Sequence, residues 1–339
     1  MVQNYFHKER QRDHRPIQLR EARNLAQNLL NNPHDRLDLL LRYSTAIIVE
    51  VAYGHQIVST DDAYVKIAEG CSPAAAASGP PGGTPVDLFP ILKHLPSWFP
   101  GTYYATVARN ASHHFRALKD YPISQVREQM NHGTARPSFL ARHLESISQT
   151  TSSTLSFFFL AMILYPDWQH RAQQEIDAVC LVQETLRWNH ATPSGVPHKA
   201  MEDDVYNGML IPKGSTVIAN VRSMTLDESV YKDPFKFDPT RFLPAPVGRE
   251  EPYATGQFGF GRRICPGRYL ADDSLWIAIV TILATISISK AIRPDGKEIM
   301  PDDVPITVGI TSQLRPFPCR LESRSEMASQ LLKQFVEST

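Results

Sequence analysis

A chain of 339 residues is long enough to bury a sizeable core, as one large domain or two. Its 35 basic and 35 acidic side chains cancel, so there is no electrostatic case for binding nucleic acid. Four cysteines, Cys71, Cys180, Cys265 and Cys319, lie far apart without a C-x-x-C pair, which argues against a zinc site or a disulfide framework and fits a reducing compartment.

Met1 to Arg15 is polar and mostly basic, with no apolar core of the kind a signal peptide carries. The longest apolar runs, Leu155 to Tyr165 and Leu275 to Ile288, fall short of the roughly 18–20 residues that span a bilayer. After Pro16, the positions Ile17, Leu19, Ala22, Leu25, Ala26, Leu29 and Leu30 recur at helical spacing, closed by Asn31-Asn32-Pro33. Asp35 is placed to cap a second helix bearing Leu37, Leu40, Leu41, Ile47, Ile48 and Val51 and stopping near Gly54. Thr60 or Asp61 then starts a shorter helix ending in the Ala74–Ala77 run. These stripes read as core.

Ser78 to Gly101 is a Pro/Gly-rich loop with an apolar patch that includes Phe89, Ile91, Trp98 and Phe99. Buried packing and a surface that touches membrane or gates a channel are both open to it. Thr102 to Met130 reads as a long polar helix on which His113 and His114 are solvated. The hydroxyl-rich Ser146 to Ser156 then runs into Phe157, Phe158, Phe159 and Leu160, a pattern that ordinarily marks the start of a helix.

Trp168 to Val179 continues as helix and leads without a turn residue into Glu184-Thr185-Leu186-Arg187. Glu184 and Arg187 are three apart, so they share a helix face and can pair. Pro193 to Val221 alternates as strands, with Asn207-Gly208 and Lys213-Gly214 as hairpin-turn signals and His198 in their midst. Asp233 to Phe242 is a proline-pinned, irregular stretch that includes Arg241.

Phe258-Gly259-Phe260-Gly261-Arg262-Arg263-Ile264-Cys265-Pro266-Gly267 follows. Pro266 suits the first position of a helix running through Leu270, Leu275, Ile279 and Leu283, with Cys265 at the positive end of its dipole. Free N–H groups and that dipole favour a thiolate, and the glycines let the backbone lie against something flat. Asp303 to Pro318 alternates as strands around a turn at Val308 to Thr311, and Ser323 to Thr339 is an amphipathic tail.

The pattern F-x-x-G-x-R-x-C-x-G arises by chance in such a chain with a probability of about 10⁻⁴ or less at average composition. It resembles the haem-ligand loop of the cytochrome P450 family, haem-thiolate monooxygenases, at all five fixed positions, and the wording is closest to fungal microsomal members. The resemblance runs collinearly from Pro16 to Arg320. It implies a mainly α, α+β fold, helix-rich with small β-sheets, in one domain over 1–339. Residues 1–145 would roof the substrate cavity, 146–322 would form the haem-binding core and 323–339 the tail. It further implies haem b, iron protoporphyrin IX, held by Cys265 as the metal ligand. Phe258, Gly261, Arg263 and Gly267 would shape the loop, with Arg263 and His198 on the propionates and Phe258 shielding the sulfur. Glu184, Arg187 and Arg241 would form a structural triad. Thr150 would be the hydroxyl that helps deliver protons to dioxygen, with Gln149 beside it.

The same resemblance implies a hydrophobic substrate contacted around Thr192 to Val196 and Val308 to Thr311, and dioxygen as co-substrate. Electrons would come from NADPH through a separate cytochrome P450 reductase. Full-length relatives of this type sit on the endoplasmic reticulum membrane. Without an anchor, this chain is expected to be cytoplasmic or in peripheral membrane contact. Three departures stand out. Ile147 and Gln149 replace a glycine and a carboxylate, Thr240 replaces the usual glutamate of P-E-R-F, and the pattern is shortened before Leu144 and near Cys180 as well as at the N-terminus. An inactive haem-binding remnant of a longer monooxygenase is the alternative.

Overall fold

The computed structural model describes residues 11–77, 85–96, 98–99, 103–132, 144–175, 178–301, 306–307 and 311–337. Helix α1 spans Gln11–Asn31. The stripe Ala22, Leu25, Ala26 and Leu29 is fully buried, as its spacing dictates. Pro16 lies inside α1, in its second turn, where sequence alone placed it ahead of the helix. Helix α2, Arg36–Tyr53, follows a short 3₁₀ turn and stops at Gly54, whose N–H donates to the Glu50 carbonyl at 2.9 Å. Asp35 occupies the cap position but accepts no capping bond, because its φ −88°, ψ 20° continue the 3₁₀ turn and lack the extended backbone a cap needs. Helix α3, Ala63–Ala77, begins two or three residues later than expected, with Asp62 Oδ1 accepting the Tyr64 N–H at 2.9 Å.

Helix α4 covers Tyr103–Asn131, close to its expected bounds. Helix α5 covers Leu144–Leu164; Phe157, Phe158 and Phe159 are all 0% exposed. The second half of α5, Leu155 to Leu164, is nearly all apolar and belongs at the centre of the molecule, and α5 packs on both α2 and the later helix α8, Arg268–Thr285. Helices α6, Pro166–Glu175, and α7, Ala178–Trp188, come next.

The strands are short and paired in twos. β1, His198–Lys199, pairs with β4, Thr216–Val217; β2, Asp204–Tyr206, pairs with β3, Met209–Ile211. Asn207 and Gly208 make the β2–β3 turn with φ of 50° and 78°, as a tight hairpin requires. Lys213-Gly214 does not close a second hairpin. The Asp203 carboxylate accepts the Lys213 N–H at 2.7 Å and the Gly214 N–H reaches the Ala200 carbonyl at 2.8 Å, which turns β4 back onto β1. β5, Ile286–Lys290, leaves α8 directly and pairs with β8, Cys319–Ser323; β6, Ile306–Thr307, pairs with β7, Gln313–Leu314. The tail forms helix α9, Glu326–Glu337, docked by Ala328 and Leu332. The architecture is helix-rich with small sheets, as expected.

Among the described residues no helix is long and apolar enough to cross a membrane. The patch after residue 85 is outside the core: Phe89, Ile91 and Trp98 are 62%, 75% and 79% exposed. His113 is exposed, and His114 is half-buried against α3.

Behind the strands an aromatic cluster joins helix to loop. The Phe237 ring, 0% exposed, lies 5.7 Å from Tyr165 and 5.5 Å from Trp188, and the Trp168 indole N–H donates to its carbonyl at 3.1 Å. Phe237→Ala should cost about 3–5 kcal/mol, the range for emptying a buried phenylalanine site. Urea unfolding midpoints measure it.

Candidate functional site

The site begins with the glycine-rich loop. The Cys265 N–H donates to the Phe258 carbonyl at 2.8 Å and the Gly259 N–H to Gly256 at 3.0 Å, so the segment closes on itself. Gly261 to Arg263 adds one 3₁₀ turn. Gly261 has φ +58°, and a β-carbon there would meet nothing within 4 Å. Glycine is thus required there by the backbone, not by crowding, and that flank of the loop is open.

Helix α8 opens at Arg268, two residues beyond Pro266. The Ala271 N–H to Gly267 carbonyl bond, 3.0 Å, makes Gly267 the cap and leaves Pro266 just outside the helix. Cys265 still lies at the N-terminal end, half-buried. Burial pushes its thiol above the ordinary range and the Asp272 charge adds to that, while the Gly267 N–H and Arg268 act to lower it. The thiolate expected from the dipole is therefore not set by the chain alone, because desolvation outweighs those partners. A metal cation at the sulfur reverses the balance, since a coordinating thiol is deprotonated outright.

Among the described residues no group of three or more His, Cys, Asp and Glu could hold a metal ion. A lone thiol cannot retain a bare ion; it suits a metal whose other ligands arrive with a cofactor. Arg263 and His198 are exposed, and neither side chain makes a hydrogen bond or ion pair with a described residue. Such free cationic or donor groups fit a cofactor carrying carboxylates. Phe258 is half-buried and Gly267 buried. The donor chemistry present fits a haem held through Cys265.

Glu184, Arg187 and Arg241, all 0% exposed, are brought together. Arg187 grips the Glu184 carboxylate with two bonds, 2.7 and 2.8 Å, and Arg241 Nε donates to it at 3.1 Å. The remaining guanidinium hydrogens go to carbonyls of the irregular stretch: Arg187 to Thr225 and Pro234 at 2.8 Å each, Arg241 to Lys232 at 3.1 Å and Lys236 at 2.9 Å. A fourth member escaped sequence reasoning. Glu251 accepts from Arg241 at 2.5 Å and from Arg249 at 2.7 Å, while Thr240 turns inward to bond Asp238. Two arginines thus meet two carboxylates, and Thr240 is not needed as an acid. A glutamate ten residues beyond Arg241, in Arg249-Glu250-Glu251, carries no motif that would have revealed it.

Gln149 and Thr150 fall in the first turns of α5, and the side chains of 144–150 lie outside the described residues. Thr151, next to them, is buried. Thr192 to Val196 leads into β1, with Val196 exposed and the other four residues half-buried; Val308 to Ile310 lies outside the described residues, while Thr311 is buried and the Ser312 N–H donates to the Ala191 carbonyl at 2.8 Å. That bond joins Ala191, just before the first segment, to Ser312, just after Thr311.

A half-buried acid, Asp272, lies on the first turns of α8. Asp272 Oδ1 has no partner, and burial, followed by the Asp273 charge, pushes its pKa up to about 6, with Arg268 opposing. The folded chain then binds the extra proton between the unfolded pKa near 3.8 and about 6, so stability falls as pH rises through that window. Asp272→Asn should flatten this slope and stabilise the chain at pH 7 by on the order of 2 kcal/mol. Denaturation midpoints between pH 4 and 7 would show it.

Comparison with known proteins places the chain among relatives. The family model described as Cytochrome P450 matches residues 148–307. Cytochrome P450 monooxygenase 176 of Postia placenta is 33% identical over 372 residues, covering 96% of this chain and 71% of the relative. A cytochrome P450 monooxygenase of Armillaria gallica is 34% identical, covering 94% and 71%, and monooxygenase claR of Ampulloclitocybe clavipes is 35% identical, covering 94% and 67%. The first of these matched spans, 372 residues, exceeds the 339 of this chain, so that relative carries residues within the span that are lacking here.

Proposed function

The chain belongs to the cytochrome P450 family, and on that premise we propose that it is a haem-thiolate monooxygenase acting on an apolar organic molecule, with Cys265 as the axial ligand of haem b. The observation that carries this is the closed loop: a half-buried thiol at the start of α8, presented beside the open flank at Gly261.

When bound, the haem supplies oxygen activation, favoured by the electron density an axial thiolate donates. The protein's own groups do the rest. Cys265 would hold the group through its sulfur as a thiolate. Arg263 and His198 would hold its propionates by charge and hydrogen bond. Phe258 would shield the sulfur, and Gly261 and Gly267 would let the backbone approach the group. Thr150 would pass protons toward dioxygen; Gln149 would orient by hydrogen bonding but has no acidic proton to give. Thr192 to Val196 and Val308 to Thr311 would contact an apolar substrate.

Electrons would come from NADPH through a separate reductase. Phe89, Ile91, Trp98 and Phe99 would make a peripheral contact with the endoplasmic reticulum membrane, since apolar side chains this exposed suit a lipid interface. A second reading, a non-catalytic haem protein, is favoured by Gln149 standing where an acid is expected and by the residues of the matched span that this chain lacks.

Haem reconstitution followed by reduction under carbon monoxide tests the ligand. The unaltered chain should show the red-shifted Soret band of thiolate ligation, and Cys265→Ala should lose it. Failure to bind haem overturns the proposal. Turnover with a reductase then separates the two readings. Thr150→Ala should lower product formation by about 10²-fold, the lower end for a proton-transfer group. Haem binding without any turnover favours the non-catalytic protein.

A further inference from the structure

Where α2, α5 and α8 meet, the packing leaves a cavity of about 10 Å³, close to what one water-sized molecule needs. Ser44, Ile47 and Ile48 of α2 wall it on one side, Leu270, Ala271 and Ser274 of α8 on another, and Thr151 of α5 completes it. All of these residues are buried. Three of them carry hydroxyls, yet the wall has little to offer a polar guest. Ser44 Oγ donates to the Leu40 and Leu41 carbonyls of its own helix at 3.1 and 3.0 Å. Ser274 Oγ donates to the Leu270 carbonyl at 2.6 Å and accepts from Gln18 at 3.0 Å. Both serine hydrogens are thus committed within helices, which leaves Thr151 as the one donor. A buried water needs two to four polar partners, whereas space walled by Ile, Leu and Ala stays dry and takes apolar guests.

We propose that this cavity is a binding site for dioxygen, held there as a free molecule before it reaches the haem. The choice of guest rests on the monooxygenase reading, which makes dioxygen a co-substrate. Dioxygen is neutral and apolar, is comparable to water in size, and asks for no hydrogen bond. An organic substrate is too large for the space. The cavity also touches α5 at Thr151, the residue after Thr150, whose hydroxyl is proposed to pass protons toward dioxygen. A guest held there is drawn from solvent to the side of the helix that would handle it.

Methyl NMR of the full-length chain under dioxygen pressure, against nitrogen at the same pressure, tests this. Dioxygen is paramagnetic and speeds the relaxation of nearby protons, and the difference between the gases removes any fixed contribution from haem iron. The increment at the Ile47 and Ile48 methyls should be severalfold larger than at Ile57 and Ile279, which are buried to a like degree. Ser44→Leu, which fills the cavity from α2, should bring both increments down to the level of those controls. Ser44→Ala removes a hydroxyl committed to its own helix and should keep them.

Equal increments at all four isoleucines of the unaltered chain overturn the proposal without recourse to a variant. So does magnetisation transfer from a bound water to the Ile47 and Ile48 methyls, which would make the cavity a hydration site. A folded Ser44→Leu chain that keeps the increments contradicts it as well. The gas measurement reads the chain with or without haem. A failure to reconstitute haem and a failure to bind dioxygen in the cavity are therefore separate results.

Discussion

Glu184 is buried between two arginines whose remaining hydrogens go to the carbonyls of Thr225, Lys232, Asp233, Pro234 and Lys236 and to the Glu251 carboxylate. Residues 225–251 have almost no regular structure of their own, so their backbone groups need partners from elsewhere. The Glu184 carboxylate also accepts the Asp238 N–H at 2.8 Å. One helical turn of α7 therefore serves as the template on which some twenty-five residues of coil are laid, and the thiol loop follows directly. Removing one member of such a buried set strands charges with no solvent to answer them, typically at a cost of 3–5 kcal/mol.

The helix that carries the sulfur is fixed separately. Tyr43 of α2 donates to the Ser274 carbonyl at 2.7 Å, and Gln18 of α1, 0% exposed, donates to Ser274 Oγ at 3.0 Å. Beside them Glu21 pairs with Arg42 at 2.9 Å and with Arg20 at 3.0 Å, and Arg20 reaches Glu50. These polar contacts register α8 against α1 and α2 where apolar packing alone would allow sliding. Cys265 thus sits between two anchored bodies, the coil before it and the helix after it.

Much of this was legible because the signals were periodic or local. The buried stripe of α1, the stop at Gly54, the triphenylalanine helix and the Asn207-Gly208 hairpin each follow from spacing or from one residue's backbone preference. The triad was legible only through resemblance, since a glutamate three residues from an arginine occurs in many helices. What escaped was set by tertiary context. Glu251 could not be seen, because nothing local marks which loop acid will meet Arg241. β4 pairs with β1 because of the Asp203 and Ala200 bonds, which a turn signal at Gly214 does not encode. The state of the Cys265 thiol depends on burial, and burial is not a property of a motif.

The central claim is that the Glu184 lock, and not the loop by itself, holds Cys265 where it can ligate haem. Glu184→Gln keeps the size and removes the charge. The most direct measurement is the reduced, carbon-monoxide-treated spectrum of that variant beside its unfolding midpoint. The account predicts loss of the thiolate-type Soret band together with destabilisation of roughly 3–5 kcal/mol. A variant that keeps both the band and the midpoint of the unaltered chain would contradict it.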